Sequence, residues 1–293
     1  MTRRAAVLIV AASVALPAAR AAERQQPVFK TGVDAVSVPV SVRRANLPIA
    51  GLTAKDFELT DNGVAQTISA FTLEALPIDV TLLMHVSRSI EGSRLEWLKA
   101  SVAETYGKLK PDDRLRLIAV QHMLREIVPF QARGTKPVLD TVKAAGGTSL
   151  YDALATAMMH ASEPERRQLI VAFTTGVDTI SILDQKSTEA VAGLADAVVH
   201  LVVPVGGSAA MRKAAMADAA PVSALVARTG GQTFQTDIDK PIGGAFTQAL
   251  EEFRTSYVLR YVPAGVKRDG WHEIVVTVKG GPYDVRARKG YGG

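Results

Sequence analysis

Four near-continuous apolar runs, Ile78–Met84, Leu115–Val120, Leu169–Phe173 and Ala197–Val203, constrain this chain more than any other feature. Apolar runs without alternation suit strands that are covered on both faces. Between them, Leu95, Leu98, Val102 and Leu109 space out as one helical stripe, and Leu150–Ala161 reads as a second apolar helix. Further helices are expected over Ser187–Ala195, over Met211–Arg228 with a stop at Gly230-Gly231, and over Ile242–Arg254. Strands alternating with helices predict an α/β domain over residues 77–255, built on a doubly wound, mostly parallel, Rossmann-like sheet.

The flanks follow a different grammar. Val36, Val38, Val40 and Val42 alternate with Ser37, Pro39, Ser41 and Arg43, the period of a half-buried strand. Pro39 lacks an amide donor, which predicts an edge strand. Phe57–Thr60 and Val64–Phe71 flank Asp61-Asn62-Gly63, a strong hairpin signal. Beyond Arg254, Tyr257, Leu259 and Tyr261 alternate, as do Ile274, Val276 and Val278, before Gly280-Gly281-Pro282 turns into Tyr283–Arg288. Neither flank holds enough strands to stand alone. Residues 28–76 and 256–291 are therefore expected to combine into one small β-sandwich with the α/β domain inserted between its halves. The alternative is two separate β additions packed on that domain.

Residues 1–21 read as a Sec-type signal peptide: Arg3 and Arg4, the apolar stretch Ala5–Leu16, then Ala19-Arg20-Ala21 as a cleavage pattern. Contact with a membrane is expected only through this segment, were it to remain uncleaved. Of the 34 basic residues three fall there, leaving 31 against 29 acids, so the mature charge gives no argument for nucleic-acid binding. The chain has no cysteine, which excludes a disulfide framework and a thiol nucleophile. The expected location is periplasmic or secreted.

In an open α/β sheet, ligands sit at the carboxyl ends of the strands, near the switch in strand order. Three segments should converge there: His85-Val86-Ser87-Arg88-Ser89, Gly146-Gly147-Thr148-Ser149-Leu150-Tyr151-Asp152, and Thr174-Thr175-Gly176-Val177-Asp178. Their order and spacing resemble a von Willebrand factor A domain and its metal ion-dependent adhesion site. The flanks resemble the related domain family common in acidobacterial proteins. The marks of that resemblance are Val36-Ser37-Val38-Pro39-Val40, Gly51-Leu52-Thr53 with Asp56-Phe57-Glu58-Leu59, Asp61-Asn62-Gly63 with Gln66, Leu150-Tyr151-Asp152-Ala153, and Arg286-Ala287-Arg288-Lys289-Gly290-Tyr291.

The resemblance implies a site for Mg²⁺ or Mn²⁺ held by two serines, a threonine and two aspartates. Ser87, Ser89 and Thr148 match it, but His85 stands at the first aspartate of the D-x-S-x-S pattern and Thr175 at the aspartate of Thr-Asp-Gly. Mg²⁺ demands near-octahedral oxygen ligands, usually including carboxylates, and three hydroxyls supply no charge. No second histidine lies at a spacing that would suit zinc or nickel. The site is therefore expected to be degenerate and metal-free, with Asp178 and Asp152 as substitute ligands were Mg²⁺ or Mn²⁺ still bound. Asp152 starts a helix, where a carboxylate serves exposed amides. Ser87, Arg88, Ser89 and Thr148 are the candidate partner-binding residues, since Arg88 offers a cation where two acids are lost. The bland alternative is a decayed site whose hydroxyls cap local turns.

No G-x-S-x-G elbow and no phosphate-binding loop occur, and His85 and Ser87 share one short loop with no orienting acid. The expected function is a non-catalytic, adhesion-type interaction module that binds a protein or a cell-surface polymer. Metal-dependent adhesion through a rewired site, a secreted serine hydrolase using Ser87 or Ser89, and a structural envelope scaffold are the alternatives. Elsewhere, His200 reads as a hydrogen-bonded core residue, Met158-Met159 and Trp271 as packing, and Arg286, Arg288 and Lys289 as a solvated strand edge.

Overall fold

The computed structural model describes residues 35–45, 47–73, 76–132, 137–160, 163, 165–240 and 242–293. The expected signal peptide, residues 1–21, lies outside them. The N-terminal flank contributes β1 (Val36–Arg44), β2 (Leu47–Pro48), β3 (Phe57–Asp61), β4 (Val64–Ala65) and β5 (Ile68–Leu73). There follow β6 (Ile78–His85), α1 (Ser93–Gly107), β7 (Arg114–Val120), β8 (Leu124–Ala132), α2 (Leu150–Met158) and β9 (Arg167–Phe173). The α/β segment continues with α3 (Gln185–Leu194), β10 (Val198–Val205), α4 (Ala209–Asp218), α5 (Ala220–Arg228), β11 (Thr233–Asp237) and α6 (Gly243–Arg254). The C-terminal flank adds β12 (Tyr257–Tyr261), β13 (Trp271–Val278), β14 (Asp284–Ala287) and β15 (Gly290–Gly292).

The central sheet has six strands in the order β11-β10-β9-β6-β7-β8. It is mixed: β8 runs antiparallel to β7, whereas the other pairs are parallel. Every residue of β6, β9 and β10 is buried. Val80, Leu82 and Met84 pack with Leu98 and Val102 of α1 and Phe246 and Leu250 of α6. Leu83, Ile118 and Ile170 turn to the opposite face and meet Leu150 and Leu154 of α2 and Val222 of α5. The chain leaves β6 for β7 on one side and returns to β9 on the other. Strand order thus reverses beside β6, and the carboxyl ends of β6 and β9 are the position where open α/β sheets place ligands.

The single helix expected over Met211–Arg228 is two helices. Pro221 cannot donate an amide inside a helix but fits a first turn, so α4 stops at Ala219 and α5 restarts there. α3 begins two residues earlier than expected because Asp184 caps it, accepting from the Ser187 amide at 2.7 Å.

The two flanking sheets, β14-β1-β12-β5 with β2 beside β1, and β15-β13-β3-β4, each draw strands from both flanks. They share one core, in which Val38, Val40, Phe57, Leu59, Tyr257, Leu259, Tyr261 and Ile274 meet. β1 is not an edge strand: β12 pairs with its Val36–Val40 and β14 with its Val40–Arg43. Pro39 is tolerated because the β14 ladder begins only at Val40. The expected hairpin turns at Asn62 (φ 47°) and Gly63 (φ 78°), but its second run divides. Val64–Ala65 stays with β3, whereas β5 crosses to the other sheet. Gln66 fixes that crossing, its carboxamide donating to the Ala264 carbonyl and accepting from the Ala264 amide, both at 2.9 Å.

Three packing expectations change. Arg288 is not solvated: it is 5% exposed and donates to the carbonyls of Gly193 (3.2 Å) and Gly290 (3.1 Å). Trp271 lies outside the flanking core, 43% exposed, with the Arg228 guanidinium 4.8 Å from its ring centre. Met158 packs in the core while Met159 is exposed. His200 is buried, and its Nδ1 accepts from the Gln232 amide at 3.1 Å.

Candidate functional site

The three predicted segments meet at the carboxyl ends of β6 and β9. His85 ends β6, with its side chain 5% exposed. Its Nε2 is hydrogen-bonded to Thr148 Oγ1 at 2.6 Å and its Nδ1 to Thr174 Oγ1 at 3.3 Å. Burial pushes the imidazole pKa down to about 4, so the ring is neutral at neutral pH, with one nitrogen donating and the other accepting. One side chain therefore ties the end of β6 to the loop before α2 and to the loop after β9.

Backbone geometry permits this convergence at two glycines. A Cβ on Gly147 would lie 2.8 Å from Thr179 Oγ1, so the bare backbone lets the loops stack. Gly176 has φ +87°, and a Cβ there would lie 2.4 Å from Ala219 Cα. Gln121 braces the rim: its carbonyl accepts from the amide (2.9 Å) and the hydroxyl (2.8 Å) of Ser149.

The remaining predicted residues divide. Ser87 and Ser89 hydrogen-bond to each other, Oγ to Oγ, at 2.8 Å. Arg88 is exposed, and no acid pairs with it among the described residues. Thr175 is half-buried, and it is its neighbour Thr174 that reaches His85. Asp178 accepts from the first amides of α2, Leu150 at 2.7 Å and Tyr151 at 3.1 Å, and from the Ser181 amide at 3.1 Å. Asp152 accepts from the amides of Ile182 (3.0 Å) and Leu183 (2.9 Å). Asp178 thus serves the first amides of α2, as a negative charge beside a helix start does, whereas Asp152 serves not its own helix but the loop ahead of α3.

This donor set does not fit Mg²⁺ or Mn²⁺. The Thr148 hydroxyl is engaged by His85, the serine hydroxyls by each other, and both carboxylates by amides. Among the described residues, no three His, Asp or Glu side chains converge as a metal-binding group. A hydrolytic Ser–His pair is not assembled either, since both ring nitrogens of His85 bond to threonines and the Ser87 hydroxyl to Ser89. The sequence placed Thr174 in a converging segment without assigning it the contact with His85, and it offered no role for Thr179 or Ser181. The one available signal for Thr174 was its place directly after β9.

No family model matches the chain. The uncharacterized protein sll0103 of Synechocystis sp. is 27% identical over 92 residues, which is 30% of this chain and 22% of that protein. Among solved structures, the ArnB paralog VWA2 from Sulfolobus acidocaldarius superposes with a TM-score of 0.48 at 12% identity, covering 86% of this chain and 75% of that one. Proximal thread matrix protein 1 of the mussel byssus, with a zinc-occupied MIDAS motif, gives a TM-score of 0.47 at 13% identity over 68% of this chain and 50% of its own. The VWA domain of SpRpn10 gives 0.40 at 14% identity, over 61% of this chain and 95% of that one. The chain thus spans about a fifth of the curated relative and half of the mussel protein.

Proposed function

We propose that the chain is an exported, non-catalytic interaction protein of the von Willebrand factor A type, whose adhesion site is degenerate and works without a metal. In this reading residues 1–21 are a cleaved signal peptide and residues 77–255 a doubly wound domain inserted into a β-sandwich formed by 28–76 and 256–291. The partner, a protein or a cell-surface polymer, docks on the face formed by Ser87, Arg88 and Ser89, whereas Thr148, also expected there, is 3% exposed and serves His85 from beneath.

The observation that carries the reading is His85 bonded to both Thr148 and Thr174. An ion in such a site would link these same loops; the neutral imidazole makes that link with no ion to lose. Arg88 supports the same view, being an exposed cation that can meet an anionic group directly.

The test is thermal unfolding of the protein with Mg²⁺, Mn²⁺ or EDTA, beside a His85→Asp/Thr175→Asp double variant. A ligand that binds only the folded state raises Tm by mass action. The wild type is expected to show no shift between metal and EDTA, and the double variant to gain one. A metal-dependent rise in the wild type would refute the reading and make Asp178 or Asp152 the first ligand to replace.

A further inference from the structure

Every position of β10 is buried, and His200 is the only polar side chain in the strand. Its imidazole lies nearly perpendicular to the Phe234 ring, with centroids 5.4 Å apart, and its Nδ1 accepts from the Gln232 amide at 3.1 Å. Burial keeps the ring neutral, so its one remaining proton sits on Nε2. That N–H is buried and meets no acceptor among the described residues. A buried donor left unpaired is costly, and folded proteins satisfy such groups with protein or with ordered water.

His200 lines a small cavity between β10, β1 and α6, together with Ser41 and Glu252. Its volume is about 10 Å³ for the centre of a water-sized sphere, room for one water molecule. Glu252 is 4% exposed; its carboxylate accepts from the Ser41 hydroxyl at 2.5 Å and pairs with Arg43. A carboxylate has about four acceptor sites, so Glu252 can take a further donor. The walls select the occupant by charge. A buried N–H donor opposes a cation, and a carboxylate opposes an anion. A neutral molecule that accepts from the first and donates to the second suits both, and at this volume that molecule is water.

We infer that the cavity is a binding site for one structural water, which accepts from His200 Nε2 and donates to the Glu252 carboxylate. Glu252 is already fastened to Ser41 and Arg43 of β1, so the water extends that joint to β10. A hydrogen-bonded path then runs from the central sheet through α6 to the flanking sheet. The test is a high-resolution crystal structure of the protein, which should show one water within hydrogen-bond reach of both groups. A dry cavity, a water that misses either group, or Nε2 bonded directly to a protein acceptor would each overturn the inference. In solution, nitrogen–proton correlation spectra of the ring should place the proton on Nε2; a proton on Nδ1 overturns it as well. Relaxation dispersion of the water oxygen should count one fewer long-lived water in His200→Phe, which lacks the donor, and an equal count in the folded variant counts against the site. Should His200→Phe fail to fold, the wild-type crystal and spectra decide.

Discussion

Replacing Asp178 with alanine separates a structural carboxylate from a metal ligand. The substitution removes the acceptor for the first two amides of α2 and for the amide and hydroxyl of Ser181. Loss of a cap costs about 1 kcal/mol and loss of a negative charge at a helix start roughly 0.3–1 kcal/mol. The two bonds to Ser181 bring the expected loss to roughly 2–3 kcal/mol. At this size that corresponds to a fall in Tm of roughly 5–10 °C. Urea unfolding in EDTA and again in Mg²⁺ should give the same loss under both conditions. Asp178→Asn, which keeps an acceptor but not the charge, should lose less than half as much. A loss of less than about 0.5 kcal/mol in EDTA that becomes large in Mg²⁺ would refute the assignment of Asp178 to the helix and return it to the metal.

Two further outcomes follow from buried polar groups. Burial lowers the His200 pKa to about 3, so it stays neutral in the folded chain while the unfolded chain protonates near 6.5. The stability it permits is complete above about pH 6.5 and falls with acid; between pH 7 and 5 the loss is about 2 kcal/mol. Urea midpoints at both pH values should therefore show a shallower acid loss in His200→Gln than in the wild type. Asp61 is fully buried and is hydrogen-bonded to Tyr261 (2.8 Å), Tyr291 (3.0 Å) and His272 (2.8 Å). Asp61→Ala leaves the buried Tyr261 hydroxyl without its acceptor, while Tyr291 and His272 keep each other at 3.0 Å, and should cost about 1–3 kcal/mol, read as a lower urea midpoint.

Within the central sheet, the strands legible in the sequence are those with both faces covered, because an unbroken apolar run can be satisfied only there. β8 and β11 escape for the opposite reason. β8 is an edge strand interrupted by Arg125, Glu126 and Pro129, and β11 has only Phe234 as a large apolar residue. Alternation gives a strand its face but not its neighbour, so nothing in Val36–Val42 announces pairing with both β12 and β14. Pro221, by contrast, was in plain view and breaks the helix where it stands. In the site, the convergence of the three loops was legible from their places after β6, before α2 and after β9. Which threonine answers His85 was not, since that depends on where β9 stops: it ends at Phe173, and Thr174 is the next residue. Arg288 shows the same limit, for a residue in a basic run becomes buried once the Gly193 carbonyl needs a donor.

Under the proposed reading, the chemistry of the site requires two substitutions before it can hold a divalent ion. His85→Asp alone would place one carboxylate in a buried position beside the Thr148 hydroxyl. A divalent ion there would face a single negative charge, with Asp178 and Asp152 still held by five amides. Freeing either aspartate would forfeit helix and loop hydrogen bonds that hold the site together, so the fold opposes that rearrangement. The single variant should therefore bury an unpaired carboxylate and lose stability in EDTA without regaining it in Mg²⁺. Adding Thr175→Asp supplies the second charge without disturbing either staple, and only then should Mg²⁺ restore the lost Tm. Full metal rescue of His85→Asp by itself would mean that Asp178 or Asp152 leaves its amides at little cost. In that case the amide bonds that hold both carboxylates would be no barrier to rearrangement, and the assignment of Asp178 and Asp152 to backbone donors would fall with them.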